Sequence, residues 1–154
     1  MFHHVTFFIS IILFSNLLIA QDLTDLDDIY VTIAVVEGLQ EDVNNYRIKT
    51  DVELKLRMAG ITVVDDSKDA EAELYFSING FKTNDDRVFI IDIDITVIEF
   101  VYLMWRLKDK EQQAHTYVSG NVYKITANHF DRIRSKVKDL TDTFINEYLA
   151  DNPK

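Results

Sequence analysis

The sequence predicts an α+β domain, a two-layer sandwich in which two helices cover one face of a mostly antiparallel sheet. Three observations carry that expectation. Runs with period-two alternation occupy the middle of the chain. Apolar residues recur at three- and four-residue spacing in two segments, one before and one after those runs. The joins between them are short and polar, so neighbouring runs should pair. The predicted order is β-α-β-β-β-β-α over residues 29–154.

Ile29 to Val36 (IYVTIAVV) is β-branched and almost wholly apolar, which suits a strand packed against a helical layer. Glu37-Gly38 breaks it. From about Asp42 to Ala59 a helix follows, with Ile48, Val52, Leu56 and Ala59 on one face and Gly60 placed for a left-handed C-cap. Ile61 to Val64 should begin the next strand, parallel to the first by a right-handed crossover. Asp65 to Asp69 reads as a polar turn. Glu71 to Phe81 then alternates: Ala72, Leu74, Phe76 and Ile78 face the core, while Glu73, Tyr75, Ser77 and Asn79 face away.

Val88 to Trp105 has a core face of odd positions, interrupted at Glu99. Its even positions change from Asp92, Asp94 and Thr96 to Ile98, Phe100, Tyr102 and Met104. Gln112 to Ile125 is the return strand. A two-residue loop at Asp109-Lys110 would pair Trp105 with Ala114, Val101 with Val118 and Val97 with Val122. Glu99 would meet Gly120, the mark of a bulge or of the core's edge. The last element is a helix from about His129 to Ala150. Phe130, Ile133, Val137, Leu140, Phe144 and Tyr148 form its stripe, and Asn128 is its expected cap. The 3-4 repeat is read as packing on the sheet rather than as a coiled coil.

Residues 1–20 read as a cleavable signal peptide. The apolar run Val5–Ala20 is sixteen residues long, short for a membrane-crossing helix, and it ends on the small Ala20 before polar Gln21-Asp22. No membrane span is then expected after cleavage, and the protein should be periplasmic or secreted. Residues 21–28 (QDLTDLDD) read as an acidic tether, and 29–154 as one domain.

The 154 residues contain 26 Asp plus Glu against 16 Lys plus Arg, a formal charge of −10 that falls entirely after residue 20. Such a surface is repelled by nucleic-acid and anionic-membrane phosphates. Cysteine is absent, which removes disulfides, thiol nucleophiles, Cys-based metal sites and a lipid anchor on cysteine.

Little else points to chemistry. Asp92 and Asp94 share a polar strand face and could act as an acid–base pair or bind a cation, although solvated strands carry such residues routinely. Asn84-Asp85-Asp86, and Asp65-Asp66 with Asp69, could hold calcium in an exported protein, but turn chemistry explains them equally and neither has EF-hand spacing. His115 and His129 stand outside any H-E-x-x-H or G-x-S-x-G pattern. No cofactor or metal is expected.

The layout resembles that of small exported bacterial envelope proteins. The strand–helix–strand opening, with Leu54-x-x-Arg57-x-Ala59-Gly60-Ile61, is similar to the amino-terminal domain of the Tol-system β-propeller protein and to the lipopolysaccharide-assembly lipoprotein family. The closing pattern Ile133-Arg134 through Phe144, Tyr148-Leu149 and Asn152-Pro153 looks like the tail of exported proteins of that shape. The likeness is one of element order, carries no functional residues over, and lacks the cysteine of the lipoprotein members.

The expected working surface is the apolar face of the long hairpin: Ile98, Phe100, Tyr102, Met104, His115, Tyr117 and Tyr123. A bent sheet, a curled hairpin or the amino-terminal segment could instead cover it. The leading expectation is a non-enzymatic interaction or assembly module of the cell envelope. Its partner would be an envelope or secreted protein, or a second copy joined through the hairpin edge. The alternatives are a carrier of lipid or another small hydrophobic ligand, with those aromatics lining a groove, and a small hydrolase using Asp92, Asp94 and His115.

Overall fold

Alternation along the central runs builds a four-stranded sheet in the order β1-β2-β3-β4, from β1 (Ile29–Val35), β2 (Ala72–Lys82), β3 (Val88–Tyr102) and β4 (Glu111–Thr126). The three-four periodicity builds α1 (Asn45–Ala59) and α2 (Asp131–Asp151). These come from a computed structural model that describes residues 23–24, 26–37, 39–85, 87–102 and 111–153, with the side chains of 100–102, 111 and 112 left out. The expected signal segment, residues 1–20, lies outside the described residues.

β1 and β2 are parallel, whereas β2–β3 and β3–β4 are antiparallel. One face of this mixed sheet is buried along its length: Ile29 and Val31, then Leu74, Phe76 and Ile78, then Ile91, Ile93, Ile95 and Val97. Ile48, Val52 and Leu56 of α1 and Ile133, Val137, Leu140 and Phe144 of α2 join them in one core. This is the expected two-layer α+β sandwich.

Local signals account for the helix ends. The Asn44 side chain accepts from the Arg47 N–H at 3.0 Å and starts α1. Gly60 stops it at φ 83°, a left-handed turn that a side chain would strain. The helix begins at Asn45, three residues after the predicted start, because the cap is Asn44. α2 has no such cap. A single 3-10 turn, Ala127–His129, leads into it, and Phe130 holds the N-cap position without a side-chain bond. The expected Asn128 cap therefore does not form.

The helices run parallel. Asp51 of α1 meets Arg134 and Lys138 of α2, and one turn further along both helices Lys55 meets Asp142. Asp51 makes two bonds to the Arg134 guanidinium, that to Nη2 at 2.8 Å. Those bonds, with Lys138 beside them, hold the Asp51 carboxyl at about 2, below the usual carboxylate range.

Three expectations need correction. Ile61–Val64 is not a strand. It makes one parallel bridge, Val63 to Ile29, and the chain then turns through a 3-10 helix, Ser67–Asp69, before β2 takes the place beside β1. Residues 23–28 do not form a free tether: Leu23 and Leu26 are buried in the core. Finally, β4 sits in another register. Val97 pairs with Tyr117, five residues from the expected Val122, and one residue is bulged out where the register shifts between Val97 and Ile98. The two-residue loop expected at Asp109-Lys110 lies outside the described residues.

Candidate functional site

An odd shift of register exchanges the two faces of a strand. The predicted surface is divided accordingly. Tyr117 lies in the core, 1% exposed, with its ring 5.5 Å from Phe144 in an edge-to-face contact. Burial, with the nearby Glu147 carboxylate adding to it, pushes the Tyr117 phenol up to about 12. Its hydroxyl has no hydrogen-bond partner among the described residues. Tyr123 also turns to the core side, half-buried, with the Lys136 ammonium 5.4 Å from its ring centre. Ile98 and His115 remain on the outer face as directly paired neighbours. The side chains of Phe100 and Tyr102, and all of Met104, lie outside the described residues.

Both helices lie on the core side, and no described element covers the other face. The register sets its composition row by row. One row crosses the strands as Thr32, Tyr75, Thr96 and Val118, and the next as Ala34, Ser77, Asp94 and Gly120. Beyond it come Asn79, Asp92 and Val122, and then Phe81, Ile90 and Lys124. The second row is low, because Ala34, Ser77 and Gly120 are small. A Cβ on Gly120 would run into the Asp94 carboxylate and lie 3.0 Å from the Ile93 carbonyl oxygen, so glycine there makes room for Asp94. Asp94 is thus flanked across the sheet by small residues, Ser77 on β2 and Gly120 on β4. Val118 and Val122 flank Gly120 along β4, 53% and 68% exposed, and Phe81 stands further out on β2 at 64%.

Sequence reasoning missed these exposed residues. Val118 and Val122 were assigned to the core by the misplaced register. Phe81 could have been found, because it falls on the outward phase of the β2 alternation, where Tyr75 had already been placed.

Asp92 and Asp94 are adjacent along β3 on this face. Burial, then the charge of Asp92 and the contact between the two carboxyls, raise the Asp94 carboxyl above its ordinary value. A raised folded-state value means that ionising Asp94 costs stability at neutral pH. The cost is absent at acid pH, where Asp94 is protonated both folded and unfolded. Asp94→Asn should therefore raise the urea midpoint at neutral pH, and the gain should vanish on acidification. A midpoint unchanged at neutral pH would show that Asp94 is not strained.

The hydrolase arrangement is not assembled. His115 pairs with Ile98, four residues along β3 from Asp94, a separation of about 13 Å at the usual rise of a strand. His129 is exposed and shares a 2.8 Å hydrogen bond with the Thr126 hydroxyl. The acidic turns serve local structure. Asp66 accepts from the Lys68 N–H, Asp85 accepts from the Arg87 N–H, and Asp65 meets Arg57. Asp86 lies outside the described residues. Among the described residues no three His, Cys, Asp or Glu are grouped to hold a metal ion, and no helix is long and apolar enough to cross a membrane.

No family model matches the chain, and no curated protein matches it. Among solved structures it is similar to the PelC dodecamer from Paraburkholderia phytofirmans, at 13% identity and a TM-score of 0.41, over 84% of this chain and 91% of that one. It is also similar to a minor lipoprotein from Acinetobacter baumannii, at 13% identity and a TM-score of 0.39, over 82% of this chain and 95% of that one. At that identity and score the likeness assigns neither activity nor partner.

Proposed function

We propose that the chain is an exported, non-enzymatic interaction module of the cell envelope, periplasmic or secreted, and that the outer face of its sheet is the docking surface. The observation that carries this reading is the uncovered face itself, with Val118, Val122 and Phe81 exposed on it. Isolated surface apolar residues need no explanation, but several on one open sheet face mark a place where another surface packs. The apolar segment ending at Ala20 supports export, and the absence of cysteine leaves the chain without a lipid anchor on that residue. The partner is another envelope or secreted protein that lays an apolar surface on β3 and β4.

The test replaces Val118 by glutamate and Val122 by lysine, because a glutamate at 122 would stand directly opposite Asp92. Both are exposed, so folding stability should stay within about 0.5 kcal/mol for each change. Cross-linking and co-purification from envelope extract are compared for the two proteins, with size-exclusion chromatography of each alone. A partner retained by the parent and lost by the variant supports the reading. A shift from dimer to monomer on substitution would identify the partner as a second copy. A partner bound equally by both proteins, or by neither, overturns the outer face as the docking surface.

A further inference from the structure

The helical layer holds a second feature, independent of the outer sheet face. Because α1 and α2 run parallel, their amino-terminal ends lie side by side, and a cleft of about 470 Å³ opens between them. Three cationic side chains line it: Arg47 from the first turn of α1, and Arg134 and Lys138 from successive turns of α2.

The charges are unevenly compensated. Asp51 is the ion-pair partner of both Arg134 and Lys138, the latter at 3.0 Å, so one carboxylate answers two cations. The Arg47 side chain has no hydrogen-bond or ion-pair partner among the described residues; only its backbone N–H is engaged, by Asn44. Asp42 and Asp131 border the cleft as well, but both are exposed and solvated, so they temper the field without filling the site. Phe130, half-buried, supplies an apolar wall. The two helix ends add partial positive charge from the same side. In a chain of net charge −10 this arrangement is not a by-product of a generally basic surface.

We propose that this cleft binds a small ligand through a phosphate or carboxylate group. Arg47 supplies a planar fork for the anionic oxygens, Lys138 supplies a point charge, and Arg134 is held in place by Asp51. The apolar part of the ligand rests on Phe130. The overall charge of the protein repels anions, so an anion that binds does so through local contacts.

The test follows backbone amide shifts of the purified protein during titration with inorganic phosphate and, separately, with succinate, at constant ionic strength. The expected result is saturable change confined to residues 42–48 and 130–138 with at least one of the two anions. Saturation by one anion alone identifies which group the cleft prefers. Arg47→Gln should weaken that binding about tenfold or more, the loss of one charge-assisted fork. Arg47 is exposed and its side chain bonds to nothing described, so the variant should fold, and its spectrum reports directly whether it does. Two results overturn the proposal: no saturable local change with either anion, or binding that Arg47→Gln leaves unaltered. Neither result bears on the outer sheet face.

Discussion

Tyr117→Glu should unfold the domain, whereas Val118→Glu, one residue further along the same strand, should leave it folded. Tyr117 is fully buried opposite Val97 and packs edge-to-face on Phe144. Removing the ring gives up core packing worth about 3–5 kcal/mol. The glutamate that replaces it must then be ionised without a counter-charge, at several kcal/mol, or be held protonated far above its normal range. The sum approaches the whole stability of a domain of this size, about 5–15 kcal/mol. Val118 points the other way and is half exposed, so its change should stay within about 0.5 kcal/mol. Urea denaturation followed by circular dichroism would compare the two. A folded Tyr117→Glu protein beside an unfolded Val118→Glu protein would mean that β4 pairs in the register implied by the Asp109-Lys110 loop, with Tyr117 on the open face.

That contrast also shows where the sequence was legible. Most elements were readable, because Leu74-Phe76-Ile78 and Ile91-Ile93-Ile95 alternate without interruption and Gly60 marks the end of α1, although the start of that helix at its Asn44 cap was placed three residues early. The register of β4 was not readable from alternation alone. Its odd positions carry Tyr117, Tyr123 and Ile125, and its even positions carry Val118 and Val122, so either face could serve as core. Choosing a two-residue loop by turn preference then settled the matter wrongly. One clue lay at the far end of the hairpin. In the predicted register Phe89 would pair with Phe130, a residue already assigned to the last helix. In the observed one it pairs with Ile125, and Phe130 reaches Phe89 from the helical side at 4.9 Å between ring centres. Requiring each core position of β3 to meet a strand residue would have favoured the observed pairing.

The same error moved the candidate site. Tyr117 and Tyr123 left the proposed surface, and Val118 and Val122 entered it, while Ile98 and His115 stayed. The helix-end cleft was not legible at all. Arg47, Arg134 and Lys138 belong to elements far apart in sequence, and only the parallel placement of α1 and α2 brings them together. Spacing rules connect residues within one helix or across one hairpin. They do not report which ends of two helices are neighbours.

Replacing Leu23 and Leu26 together by alanine should destabilise the domain by about 4 kcal/mol or more, since each buried Leu→Ala change typically costs about 2–5 kcal/mol. Neighbouring sites need not add, so the sum of the single changes is a guide rather than a value. Four Asp in residues 21–28 make the segment read as solvated, yet its two leucines, three residues apart, both insert into the core. The backbone is fastened as well. The Tyr148 hydroxyl donates to the Leu26 carbonyl at 2.9 Å, and the Asn152 amide donates to the Leu23 carbonyl at 2.7 Å. Asp28 then turns the chain into β1 at φ 48°, a left-handed conformation that aspartate adopts more readily than most residues. Its carbonyl accepts from the Glu71 N–H at 3.0 Å. The segment thus closes the carboxyl-terminal end of α2 against the edge of the sheet. Thermal and urea unfolding of the double variant measure the effect. A tether would lose less than about 0.5 kcal/mol, as surface changes do. A midpoint that does not move would return the start of the folded domain to Ile29, whereas a large loss places it at or before Leu23.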